Sequence, residues 1–118
     1  MPVPDYQTFM LPLLKLASDD VEHRLRDATE ALADQFSLNE SERNEKLPSG
    51  ERIYINRVRW ARFYLMHASL LFNPERGIFK ITEAGHQLLA DNPVKIDTNV
   101  LRQFPSFRKF KENSSAAK

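Results

Sequence analysis

Between Arg52 and Phe63 the chain places Arg52, Asn56, Arg57, Arg59 and Arg62 among Tyr54, Trp60 and Phe63. These side chains recognise; they are not a catalytic set. Arginine and asparagine bind guanine and adenine edges through paired hydrogen bonds, and apolar rings touch the thymine methyl. Arginine also grips phosphate through its planar fork. No Asp or Glu stands between Arg52 and Pro74, so the helix itself carries no acid to offset these charges. The stretch is therefore suited to a polyanion, and base edges are assigned to Asn56 and Arg59. Phosphates are assigned to Arg52, Arg57, Arg62, Ser49 and Tyr54, with the Tyr54 hydroxyl reaching the backbone at most. Trp60 and Phe63 stay open between base-methyl contact and packing.

These residues need a helix to hold them. At 100° per residue Tyr54, Val58, Ala61, Leu65 and Ala68 share one stripe, which is a core face. Asn56, Arg59 and Phe63 fall opposite, Trp60 and His67 on a shoulder, and Arg57 and Arg62 flank the stripe, where long stems lie along apolar surface. Ahead of the helix, Pro48-Ser49-Gly50 reads as a tight turn. Its Ser49 hydroxyl and the Gly50 amide are candidates for a phosphate at the helix entrance.

Charge is uneven along the chain. The net charge is +1, yet residues 1–50 hold five basic and ten acidic side chains, and residues 51–118 hold twelve and six. A local basic field is the electrostatic footprint of a polyanion such as nucleic acid, and the alternative is chance clustering balanced in three dimensions by the acidic half. The length suits one domain. There is no cysteine, which removes disulfides, thiolate metal sites and thiol nucleophiles. No apolar run approaches the ~20 residues of a membrane span, and the N-terminus lacks the pattern of a signal peptide. A cytoplasmic protein is expected.

The supporting elements follow in order. Pro2 and Pro4 keep the start extended, and Asp5 caps a helix over 6–17, with Pro12 predicting a kink or a start delayed to Thr8. Ser18-Asp19-Asp20 is a turn. Glu22 to Leu25 is too short and polar for a strand on its own but suits an edge strand. A second helix spans Arg26 to Phe36, its acidic outer face solvated. Asn39 and Glu42 have capping-box spacing for a short third helix. Leu70–Asn73 and Ile78–Ile81 flank a Pro74–Gly77 turn, a β-hairpin with Arg76 at its tip and Lys80 on the return strand. Thr82 caps the next helix, which closes near Asn92-Pro93. A short helix is expected around Thr98–Gln103, then a basic-aromatic arm interrupted by Pro105.

The predicted class is mainly α with a small β-hairpin, in the order of a winged helix-turn-helix. Residues 1–95 would form the DNA-binding domain, 96–111 a helix and arm packed on it, and 112–118 a linker or disordered end. The hairpin at 73–78 is the wing, and Arg76 would bind minor-groove edges or phosphates.

Five segments together resemble the N-terminal domain of Mrr-type restriction proteins. They are PDYQTFMLPLLKLA, LPSG, YINRVRWARFYLMHASLL, RGIFKITEAGHQLLADNP and IDTNVLRQFPSFRKF, and they cover the chain to about Phe110. The resemblance implies a winged-helix domain that recognises double-stranded DNA carrying modified, mainly methylated, bases. It also implies a C-terminal nuclease domain as partner. By the match, Asn56-Arg57 and Trp60-Ala61 lie in the recognition-helix motif and Arg76-Gly77 in the wing. Arg59 stands where the family carries a small residue, often Gly, and adds a charge there. The family's metal-binding Asp, Glu and Lys set has no counterpart in this sequence. Asp91, Lys95 and Asp97 fall at a helix end and in a loop, and His23, His67 and His86 are far apart. No cofactor or metal is called for, the chain on its own is not expected to be an enzyme, and the isolated domain is expected to be a monomer. Two other readings stay open, a free-standing winged-helix transcriptional regulator and a protein-interaction module.

Overall fold

A computed structural model describes residues 3–116. Pro2, expected to keep the start extended, and residues 117 and 118 of the expected tail lie outside them. The first helix, α1 (Tyr6–Leu16), starts where Asp5 accepts hydrogen bonds from the Thr8 amide at 2.9 Å and the Thr8 hydroxyl at 3.0 Å. The start is Tyr6 rather than Thr8, and the helix continues through Pro12. Burial of Phe9, Met10, Leu13 and Leu14 outweighs the one backbone bond the proline removes. A 3-10 turn at Ala17–Asp19 leads to β1 (His23–Arg24) and α2 (Leu25–Gln35). The short helix α3 (Glu40–Asn44) has the expected capping box, with Asn39 and Glu42 exchanging two bonds of 2.8 Å.

The arginine-rich stretch forms α4 (Ile53–His67), 15 residues long. Then come β2 (Leu71–Glu75), β3 (Ile78–Ile81) and α5 (Glu83–Ala90), the last capped by the Thr82 hydroxyl on the Gly85 amide at 3.1 Å. β2 runs through Pro74 and Glu75, so the hairpin turn is only Arg76-Gly77, with Glu75 opposite Ile78 and Gly77 at φ 77°. That positive φ favours glycine. β1 adds antiparallel to β3 through His23–Phe79 and Arg24–Ile78, giving the sheet order β1-β3-β2. The short polar segment becomes a strand because β3 offers it a partner. Element order and pairing are those expected of a winged helix-turn-helix.

The main core joins α1, α2, α4, the sheet and α5, and a second, smaller cluster holds Ala33, Leu38 and Tyr54. The main core also takes in Ile96, Leu101 and Phe107. The C-terminal region departs from expectation. After α6 (Thr98–Leu101), Pro105 opens a helix, α7 (Pro105–Ala116), rather than breaking an arm. Proline is favoured in the first helical turn, where its missing N–H has no intrahelical partner to lose. Residues 112–116, expected as a linker or disordered end, continue this helix. The acidic face of α2 is also more than solvated. Glu30 and Asp34 bind Arg43 at 3.4 and 2.8 Å and so tie α2 to α3. Among the described residues no helix is long and apolar enough to cross a membrane.

Candidate nucleic-acid interface

Helix α4 is buried on more than one side. Tyr54, Val58, Ala61 and Leu65 face the core as their spacing predicts, and Asn56 is buried as well. α1 covers one flank of α4, where Tyr6 packs on Tyr64 at 5.1 Å between ring centroids. α7 covers another. Phe110 stacks on His67 at 3.9 Å and meets Phe63 edge-on at 5.7 Å, and Phe107 packs on Tyr64 at 5.9 Å. Phe63 is therefore a packing residue at the α4–α7 seam. Trp60 stands at the end of this ring cluster, edge-on to Phe63 at 5.2 Å and 39% exposed. It remains accessible, with the Arg59 guanidinium 5.8 Å from its ring centre.

Burial lowers the His67 pKa below its usual 6.5. The fold thus favours the neutral ring. The contact is unaffected above the unfolded value, and protonation weakens the fold as pH falls from about 6.5 toward the lowered folded value. Urea unfolding midpoints at pH 7.5 and 5.5 should fall further for the parent chain than for His67→Phe. An equal drop in both would place the acid sensitivity elsewhere.

The predicted contact residues fall into distinct settings. Ser49 and Gly50 are exposed in the turn before α4. The Gly50 amide donates to Leu47 O at 2.9 Å, and the Ser49 hydroxyl lies 3.4 Å from the Glu51 amide. The turn thus satisfies that Gly50 donor within itself. Tyr54 donates its hydroxyl to Glu30 at 2.8 Å, which raises its pKa after the larger effect of burial. Asn56, expected opposite the core, is buried and donates to Glu51 Oε1 at 2.9 Å. A helical wheel drawn around one core stripe hides this second buried side.

The arginines serve different surfaces. Arg52 is exposed just before α4, and Arg57 is half-buried. Arg62 reaches Asn73 Oδ1 at 3.2 Å and Met66 Sδ at 3.0 Å, joining α4 to β2. Burial, and secondarily the like charge of Arg59, lowers its pKa. Lys80 is half-buried on β3, opposite Phe72. Arg59 and Arg76 come together across an open cleft of about 570 Å³. Arg24 and Arg26 line the same cleft, with Glu30 and Glu75 as its acids and Leu25, Ile55 and Ile78 as apolar lining.

The hairpin is fixed at this cleft by the Leu25 amide, which donates to Gly77 O at 2.9 Å. That bond brings the start of α2 beside the tip of the hairpin. Sequence reading missed Arg24 and Arg26. Their only signal was the alternation Arg24-Leu25-Arg26 at a strand-to-helix junction, and the partner surface lies more than 30 residues away. The acidic and lysine side chains near the C-terminus are local fasteners. Lys95 is 3.6 Å from Asp97, and Asp97 caps the Val100 amide at 3.1 Å.

A recognition-type helix, an arginine-lined cleft and a hairpin tip thus meet on one surface. The sequence matches the family model described as the Mrr N-terminal domain over residues 6–91. It is also 37% identical over 94 residues to the type IV methyl-directed restriction enzyme EcoKMrr of Escherichia coli (strain K12). That alignment covers 79% of this chain and 31% of the relative, so the chain spans about a third of the relative's length. No solved structure matches the chain. The chain belongs to the Mrr N-terminal domain family.

Proposed function

We propose that this domain binds double-stranded DNA, with α4 entering the major groove and the β2–β3 hairpin beside it, and that it delivers a nuclease domain outside this chain to its target. The observation that carries the reading is the cleft where Arg24, Arg26, Arg59 and Arg76 converge between α2, α4 and the hairpin turn. Three guanidinium groups from three separate elements, Arg24 of β1, Arg26 of α2 and Arg76 of the hairpin turn, suit a phosphate backbone passing over a groove. The major groove admits one helix, and α4 offers Arg59 and Trp60 on its exposed side. The name of the E. coli relative, methyl-directed, supports methylated DNA as the target, with Trp60 positioned to meet a base-borne methyl. The domain acts as a monomeric reader in the cytoplasm, and the strand cutting belongs to its partner domain.

The test is fluorescence anisotropy with one 20-bp duplex, unmethylated or methylated at adenine or cytosine, across a salt series. Binding should show a log–log salt slope of about −3 or steeper, at about −0.9 per phosphate contact. A ten-fold preference for one methylated duplex would establish modification reading. Equal affinity for all forms would assign specificity to another domain. No binding at ~50 mM salt would overturn the proposal and favour a protein-interaction module.

A further inference from the structure

Arg59 is not a free cation. Its Nε donates to Glu51 Oε2 at 3.2 Å and its Nη2 to Glu51 Oε1 at 2.9 Å. The same Oε1 accepts from Asn56 Nδ2 at 2.9 Å. Asn56 is only 9% exposed, whereas the Arg59 side chain is 44% exposed. The three residues therefore form a chain from the buried side of α4 to its surface. Asn56 anchors the carboxylate, and the carboxylate takes one edge of the guanidinium. The hydrogen bonds from Arg59 and then Asn56 hold the Glu51 pKa below its usual value, so the carboxylate stays charged.

This arrangement favours one kind of target. A carboxylate in contact with the guanidinium cancels most of its local charge and repels an approaching phosphate. It leaves the Nη1–Nη2 edge as a fixed planar pair of donors. Such a pair matches two neutral acceptors side by side, which is what guanine N7 and O6 present in the major groove. An arginine meant only for phosphate needs no such mount, and Arg24, Arg26 and Arg76 have no comparable bidentate carboxylate partner among the described residues.

We infer that Glu51, anchored by Asn56, is a positioning residue that fixes Arg59 to read a guanine edge. The inference rests on the DNA-binding reading above. Asn56, first assigned to an adenine edge, then acts behind Arg59 rather than on a base. Glu51 also limits the affinity of this arginine for the backbone of any sequence.

The experiment is selection from a library of 20-bp duplexes randomised over eight central positions, followed by sequencing. The parent chain should enrich guanine about ten-fold at one position. Arg59→Ala should abolish that preference and leave the other positions. Glu51→Gln, which keeps the shape and removes the charge, should reduce it to about two-fold at the same position. The same variant should bind random duplex more tightly, with a salt slope steeper by about 0.9, as the released Arg59 gains a phosphate. In the Arg59→Ala background Glu51→Gln should change neither base preference nor slope. Glu51→Asp keeps the charge but falls short of the fork, and should lose the guanine preference without the full gain in slope.

An unchanged guanine preference in Glu51→Gln, or an equal loss at every position, overturns the inference. Parent binding without any base preference overturns it while leaving the DNA reading intact. A parent chain that binds no duplex removes both.

Discussion

Phe107→Ala is expected to destabilise the domain by about 3–5 kcal/mol, the usual range for truncating a fully buried aromatic. Phe107 is 0% exposed and belongs to the same core as Phe9, Leu65 and Phe79. The loss is a large fraction of the ~5–15 kcal/mol that holds a typical domain together. It would arise 14 residues beyond Pro93, where the sequence pattern placed only an arm. Urea denaturation followed by circular dichroism reads it directly. Lys109→Ala, on the exposed side of the same helix, should lie within about 0.5 kcal/mol of the parent. If Phe107→Ala behaved like Lys109→Ala, α7 would be an appendage and not part of the folding unit.

The second large effect concerns binding. The triple variant Arg24→Ala, Arg26→Ala, Arg76→Ala should lose about 2.7 from the magnitude of the log–log salt slope, at about 0.9 per phosphate contact. Near ~50 mM salt that corresponds to a roughly thousand-fold weaker complex, because each lost contact forfeits its share of counterion release. The loss should be uniform across sequences, since phosphate contacts position the protein without reading bases. All three side chains line the surface of the cleft rather than the core, so the melting temperature should barely move. A parent-like salt slope would mean that DNA passes elsewhere on the domain.

Asp5, the Asn39–Glu42 box and Thr82 were readable as caps because a cap depends on residues three positions apart. The hairpin was readable for the same reason, although its turn proved two residues shorter. The class of the fold followed from element order. Phe63, left open between base contact and packing, meets Phe110, and Asn56 was misplaced because a helical wheel assumes one buried side. α4 has several, and only the packing of α1 and α7 reveals them. Pro105 was read as an interruption since proline breaks a helix interior, but its meaning reverses at a first turn. Arg24 and Arg26 enter the site through β1–β3 pairing and the Leu25–Gly77 bond. Neither contact has a local signature. Glu51 was counted only as one acid among many, because nothing in spacing shows that an acid before a helix reaches a residue two turns along it.

The hairpin also bears on how the protein behaves in concentrated solution. β2 is an edge of the sheet, and Phe72 on it is 43% exposed. A long, flat edge with such a residue would invite a second copy to add a strand. Here Pro74 removes a backbone donor, and the register slips between Phe72 and Glu75. Both features blunt an edge against self-association. The exposed edge of the hairpin is thereby protected from aggregating with its own kind.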